Sequence, residues 1–315
     1  MKKFKWGKFL ITLSLVIFIL GGIVLGGYFV LDKAVVPKYF GEYGIYNMNE
    51  LVGMMRTLYS TPHESQIVTN GFTSTDLESA KVKLKSYPIR EDGTFDFDRF
   101  NSGERGDGDV FITDRELASV LDKLLESKEF SDLLPDLVNF NTLNISVKEV
   151  SISLIEQEDN SDPEEVVQDT PQEGDTIIAD SAHIKFIALI DTTNVRGLMA
   201  DQMQIPLFLL NMIIPKTMYI TLNYNVKINS GAESSWQVTD GGLAVNGSTE
   251  KQSEVLLKLL IKFIFGEETD MTPSQLLSDL ADIIEQGVDL FGDIQFTTKT
   301  STIKNQTGIY LLPVA

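Results

Sequence analysis

Few side chains in this 315-residue sequence are suited to catalysis. It has no cysteine and two histidines, His63 and His183. The lack of cysteine excludes disulfides, thiolate zinc sites and thiol nucleophiles. His63 follows Pro62 in a polar stretch and His183 begins an apolar strand pattern, so neither has a partner at metal-ligand spacing. We therefore expect both histidines to have surface or packing roles.

The usual catalytic motifs are also missing. The sequence contains no G-x-S-x-G serine elbow, no H-E-x-x-H zinc motif and no phosphate-binding loop. A pair of carboxylates acting as acid and base stays open, because 45 acidic residues neither exclude such a pair nor locate it. We expect a protein that is not an enzyme and that uses no cofactor.

One stretch, GERGDGDVFITD at 103–114, partly matches a calcium loop of the kind seen in dockerin repeats. Its candidate ligands are Asp107, Asp109 and Asp114, which occupy the fifth, seventh and twelfth places of the loop. The first place lacks a side-chain oxygen, and the third holds Arg105, whose charge opposes a cation. The pattern therefore favours an ordinary loop, and no metal is expected.

A basic tail and a long apolar stretch begin the sequence. Residues 1–8 hold four lysines and no acid, and Phe9 to Leu31 contains no charged residue. A helix of that length spans the roughly 30 Å hydrocarbon layer of a bilayer. The lysines predict a cytoplasmic tail at 1–8, a single transmembrane helix at 9–31 and a body outside the cytoplasm. The alternative is a cleaved signal peptide, whose apolar core is shorter and ends at a small-x-small site.

Gly22 and Gly26 form a G-x-x-x-G step, the pattern through which membrane helices form homodimers. A juxtamembrane segment at 32–46 follows, rich in aromatic rings that either lie at the headgroup level or close the base of the body. The body is predicted to cover 47–315. The net charge of −19 disfavours nucleic acid as a partner, because binding phosphate requires clustered Lys and Arg.

Long strand patterns follow in the body. Between about Thr142 and Glu156 the apolar phase shifts by one residue after Val147, which predicts a β-bulge and a bent strand. The acidic stretch at 157–175 predicts a solvated, mobile hairpin tip. At MYITLNYNVKINS, apolar and polar residues alternate over 218–230, which predicts a strand with one dry face.

These patterns predict an α+β fold in which a long curved antiparallel sheet packs on amphipathic helices. The dry strand and the wide apolar arc of the helix after Thr249 supply the candidate ligand-binding surface. Its predicted lining is Met218, Ile220, Leu222, Tyr224, Leu256, Leu260 and Phe263. The same residues could instead close on one another as an ordinary core.

The layout resembles the tubular lipid-binding (TULIP-like) domains and, more loosely, the AsmA-like bacterial envelope proteins. The resemblance covers roughly residues 107–312 and rests on one N-terminal anchor, on VFITDRELASVLDKLL as a strand that runs into a capped helix, and on long bent strands with amphipathic helices. It implies a curved sheet that encloses a lipid-accommodating groove, with no catalytic residues. The acidic stretch at 157–175 is not a feature of these families.

Two functions follow as expectations. The first is a bacterial, membrane-tethered binding module for a lipid or another apolar ligand. The second is a membrane-anchored structural or assembly protein with a solid core, which meets partners in the cell envelope through its acidic surface.

Overall fold

The computed structural model describes residues 28–59, 64–85, 110–126, 144–155, 176–229, 235–246, 248, 250–265, 270–279, 281–282, 293–299 and 305–312. Several sequence predictions lie outside these residues: the tail at 1–8, residues 9–27 of the predicted transmembrane helix with Gly22 and Gly26, His63, Asp107, Asp109 and the acidic stretch at 157–175.

The helices are α1 (Val36–Phe40), α2 (Met48–Tyr59), α3 (Glu64–Ile67), α4 (Ser74–Lys83), α5 (Asp114–Glu126), α6 (Arg196–Gln202), α7 (Leu207–Ile213) and α8 (Glu250–Phe265). A π-helical turn at Leu31–Val35 leads into α1, and a 3-10 turn at Gly41–Tyr43 follows it. A further helical run covers 273–279. Helical turns thus follow one another from residue 28 to Tyr43, with a departure from helical geometry at Phe40, whose φ is −126° and ψ is 0°.

The strands are β1 (Val110–Thr113), β2 (Asn144–Leu154), β3 (Thr176–Ala179), β4 (Ser181–Asp191), β5 (Thr217–Asn229), β6 (Ser235–Val245), β7 (Asp293–Lys299) and β8 (Gln306–Leu312). They form two sheets, a small one in the order β1-β8-β7-β3 and a large one in the order β2-β4-β5-β6. The pairings described in both sheets are antiparallel. The α+β class is therefore confirmed, with the strands divided between two sheets where the sequence suggested one.

Local signals in the sequence account for two features of this frame. The register of β2 against β4 shifts between Val147 and Glu149, which confirms the predicted bulge. Helix α5 begins with the predicted capping box, because the Glu116 amide donates to Thr113 Oγ1 at 3.2 Å and the Thr113 amide donates to the Glu116 carboxylate at 2.9 Å. Strand β1 runs directly into this helix.

Two clusters of buried apolar side chains hold the body together. The first, core 1, packs α1, α2, α6, α7 and α8 against one end of the large sheet. The second, core 2, packs α4 and α5 with side chains from both sheets. The dry face of β5 is shared between them, since Met218 lies in core 1 and Tyr224 lies in core 2.

Candidate functional site

Three apolar side chains form a row across the middle of the large sheet. Phe186 in β4 pairs with Leu222 in β5, and Leu222 pairs with Leu243 in β6. Cross-strand partners in an antiparallel sheet point to the same face, so these three side chains lie side by side over about 10 Å. Each is half-buried, although each lies in the interior of its strand. We call these three residues the apolar row.

Three of the six positions next to the apolar row on the same face are buried, whereas Ile184 and Ile220 are half-buried and Gly241 is exposed. Toward core 1, Ala188 and Val245 are buried. Toward core 2, Tyr224 is buried, and its hydroxyl donates a hydrogen bond to the carbonyl of Leu277 at 3.4 Å. Burial raises the pKa of Tyr224 to about 12, so this hydroxyl stays protonated. The apolar row is therefore the seam between the two cores.

Most of the predicted lining lies inside the cores. Core 1 encloses Met218, Leu256, Leu260 and Phe263, and core 2 encloses Tyr224. Ile220 and Leu222 are half-buried, and they pack at the edges of core 1 and core 2 respectively. Of the predicted lining, the structure thus places Leu222 in the apolar row and Ile220 beside it.

Sequence reasoning missed Phe186 and Leu243. Phe186 lies in a stretch of β4 that is apolar on both faces, so the pattern alone does not assign its side. Leu243 stands alone between two glycines and an alanine. Pairing the strands in register with Leu222 is the signal that would have identified both residues.

Two open cavities among the described residues have charged walls. One, of about 300 Å³, is lined by Tyr43, Met203 and Gln204 together with Glu42 and Lys262, whose side chains form an ion pair at 2.9 Å.

The other cavity, of about 380 Å³, lies beside the small sheet and is lined by Lys83, Val110, Phe111 and Lys299. The Lys299 ammonium lies 4.7 Å from the ring centre of Phe111. No residue of the apolar row, and none of the predicted lining, borders either cavity.

A buried carboxylate lies on the opposite face of the large sheet. Glu149 follows the bulge in β2 and is fully buried. Its carboxylate accepts hydrogen bonds from the amides of Thr69 and Asn70, the latter at 2.8 Å, and the Lys185 ammonium lies 3.3 Å away. Burial alone raises the pKa of Glu149, but the two amides and the ammonium outweigh it and hold that pKa below its ordinary value. The two amide hydrogen bonds clamp residues 69–70 to the sheet. Because the carboxylate is ionised, it has no proton to donate as an acid.

Glu116 fastens α4 to α5 in the same way. Its carboxylate accepts hydrogen bonds from the Ser79 hydroxyl and from the Lys83 ammonium, the latter at 2.6 Å. Burial raises the pKa of Glu116, yet these donors and the Thr113 amide together lower it below the ordinary value. The group therefore has a structural role.

Of the candidate metal ligands, Asp114 lies within the described residues, and it is bonded to protein donors. Asp114 is buried, and its carboxylate accepts hydrogen bonds from the Asn70 side-chain amide at 2.9 Å and from the Thr307 hydroxyl at 3.0 Å. His183 Nδ1 lies 2.9 Å from Oδ1 of Asn225 on the neighbouring strand. Within the described ranges, no three His, Asp or Glu side chains are grouped so that they could hold a metal ion.

Sequence reasoning also overlooked a Ser-x-x-Lys pattern at Ser248 and Lys251, a spacing used by some serine acyl transferases. Ser248 is buried, with its hydroxyl 2.9 Å from that of Ser253, whereas Lys251 is exposed. A buried serine beside another hydroxyl is a helix-terminal packing feature. It gives no support to a nucleophile here.

The aromatic residues near the N-terminus have two different environments. Phe40 and Tyr43 are buried in core 1, as in the alternative in which these rings close the base of the body. Tyr28, Phe29 and Tyr46 are exposed. Across the described residues, which start at 28, no helix has both the length and the apolar character needed to cross a bilayer.

Comparison with known proteins gives no relative: no family model matches the sequence, and no curated protein or solved structure matches it.

Proposed function

We propose that this protein is a membrane-tethered extracytoplasmic module that binds the hydrocarbon part of a lipid, or another apolar molecule, over the apolar row. The observation that carries the proposal is the row itself. Phe186, Leu222 and Leu243 are interior positions of three adjacent strands, and such positions are normally covered. Half-buried side chains there leave apolar surface for a ligand to cover.

The energetics favour a ligand that extends along this seam. Covering apolar surface yields about 0.8 kcal/mol per methylene group. Several methylenes must be in contact before that gain exceeds the cost of immobilising the ligand. A hydrocarbon chain crossing the apolar row and reaching Ile220 meets this requirement, whereas a small polar molecule does not.

The location rests on the sequence. The uncharged stretch from Phe9 to Leu31, preceded by four lysines, supports a single membrane helix with its amino end in the cytoplasm. The resemblance to TULIP-like domains implies a lipid-accommodating groove. One part of that resemblance, the strand that runs into a capped helix, is supported by the junction at which β1 ends at Thr113 and α5 begins at Asp114.

A second function, that of a tethered structural or assembly protein, is favoured by a separate observation. Core 1 and core 2 enclose most of the side chains expected to line a groove, and the two described cavities have charged walls. A solid body of this kind would act through its acidic surface on partners in the cell envelope. Dimer formation through Gly22 and Gly26 is compatible with either function.

Photolabelling separates the two functions. The full-length protein is reconstituted into vesicles that contain a phospholipid with a diazirine in its acyl chain, and the labelled peptides are identified by mass spectrometry after illumination. We expect label on the β4 and β6 peptides that contain Phe186 and Leu243. Leu222→Asp should reduce this label several-fold.

The matched control is Asn223→Asp, which places the same carboxylate on the opposite face of β5. It should leave the label unchanged. Leu222→Ser serves as a milder variant, and circular dichroism verifies that each variant is folded. Equal labelling of Leu222→Asp and Asn223→Asp would reject the binding function and leave the assembly function. Label confined to residues before Phe40 would do the same.

A further inference from the structure

Two consecutive helices of core 1 turn large apolar side chains outwards. Leu198 of α6 is 52% exposed, and Leu207 and Phe208 of α7 are 47% and 60% exposed. Their neighbours Met199 and Leu209 are buried in core 1. Each helix therefore has one apolar face inside the body and a second apolar surface outside it, which a helix on a purely aqueous surface does not require.

These helices pack in the same core as the N-terminal helix. Core 1 contains Val36 and Phe40 of α1 together with Leu209 and Leu210 of α7. At about 1.5 Å per residue, Val36 lies about 7.5 Å and Phe40 about 14 Å along the helical backbone from Leu31. Each headgroup layer is about 5 to 7 Å thick, so with the predicted membrane span ending at Leu31, core 1 begins at the outer edge of that layer.

The charge balance of this region differs from that of the whole molecule. In residues 28–46, the acids Asp32 and Glu42 are matched by the bases Lys33 and Lys38.

In residues 191–217, which contain α6 and α7, Asp191 and Asp201 are matched by Arg196 and Lys216. Both segments are thus neutral in a protein whose net charge is −19. Acidic surfaces are repelled by anionic lipid headgroups, and this neutral surface is not.

We propose that Leu198, Leu207 and Phe208 insert into the interfacial layer of the bilayer, so that the body is seated on the membrane by α6 and α7 as well as held by its anchor. The inference rests on the membrane anchor of the proposed function, and it is independent of ligand binding at the apolar row. Exposed leucine and phenylalanine side chains on short helices are the type of surface that enters this layer.

The absence of cysteine makes a direct test simple. Single-cysteine variants Phe208→Cys and Leu198→Cys of the full-length protein are labelled with the fluorophore NBD. They are then reconstituted into vesicles of phosphatidylcholine with a minor fraction of phosphatidylglycerol. We expect brominated acyl chains to quench both probes several-fold more than they quench a probe at Val82→Cys. Val82 is a matched control because it is 76% exposed and lies on α4, which packs on core 2.

A probe at Phe29→Cys separates failure of this inference from failure of the anchor. Quenching at Phe29 with none at Phe208 or Leu198 would overturn the seating and preserve the anchor. Absence of quenching at all of these positions would reject the anchor as well. Cross-linking of Phe208→Cys between two copies, without quenching by brominated lipid, would overturn the seating in favour of a protein interface.

Discussion

The ammonium of Lys185 lies 3.3 Å from the carboxylate of Glu149, on the face of the large sheet opposite the apolar row. Lys185 directly precedes Phe186 in β4, so this strand presents the ion pair on one face and one of the three side chains of the apolar row on the other. The same carboxylate holds the amides of Thr69 and Asn70. Glu149 therefore fixes residues 69–70 against the face of the sheet opposite the candidate site.

Glu149→Gln is expected to destabilise the fold by about 2 kcal/mol. The amide side chain leaves Lys185 without its counter-charge and weakens the acceptor for two buried amides, and removal of one partner of a buried pair is costly. The measurement is urea unfolding followed by circular dichroism. Glu254→Gln is the matched control, because Glu254 forms an exposed pair with Lys258 and should cost less than about 0.5 kcal/mol. Equal losses in the two variants would contradict the clamp.

The same pair predicts an acid-dependent loss of stability. The pKa of Glu149 and that of Glu116 are both lowered in the fold from the ordinary value of 4.5. A lowered carboxyl pKa stabilises the fold fully above the unfolded pKa, and the contribution is lost as the pH falls through the folded pKa. The urea midpoint of the native protein should therefore fall below about pH 4.5. The difference in urea midpoint between the native protein and Glu149→Gln should become smaller over the same pH range. A difference in midpoint that stays constant from neutral to acid pH would contradict the prediction.

Two glycine substitutions are expected to have opposite effects. A Cβ atom at Gly308 would overlap the carbonyl oxygen of Ile112 on the paired strand β1. Gly308→Ala should therefore separate β8 from β1 and cost more than about 2 kcal/mol. Gly53→Ala lies within α2, where the added Cβ meets no atom within 4 Å apart from its chain neighbours and the nearby backbone of its own helix, and it should stabilise the fold by about 0.5 to 1 kcal/mol. Thermal unfolding measures both, and a tolerated Gly308→Ala would show that β1 is not held closely to β8.

Two phenylalanines test whether the apolar row is a surface or a part of the core. Phe40 is fully buried in core 1, so Phe40→Ala should cost about 3 to 5 kcal/mol. Phe186 is half-buried, so Phe186→Ala should cost about half as much while lowering acyl-chain photolabelling. Chemical unfolding and the labelling assay are run on the same preparations. A loss of stability at Phe186 equal to that at Phe40 would mean that the seam is filled by the protein itself.

The sequence predicted parts of this architecture whose causes are local. The phase shift after Val147 indicated the bulge in β2, because the two faces of a strand are visible in its alternation. The capping box of Thr113 and Glu116 was predicted in the same way, because its two residues are three positions apart. Sequence reasoning missed the capping box of helix α4, in which Asp76 stands where Glu or Gln is usual and pairs with Thr73.

Contacts between remote segments could not be predicted in this way. Glu149 shares its face with Ser151 and Ser153, a pattern that indicates a solvent face, yet a segment 80 residues earlier in the chain covers it. The alternation of β5 likewise identified Met218 and Leu222 as members of one dry face. It did not show that the first would be sealed in core 1 and the second left at the seam, because that depends on which helices cover each end of the sheet.

The helical segment that leads into the body is held over one turn of its length. Val36 and Phe40 are both fully buried in core 1, so the segment packs into the body before Tyr43. A change in the packing of core 1 therefore reaches the point at which residues 28–35 leave the body.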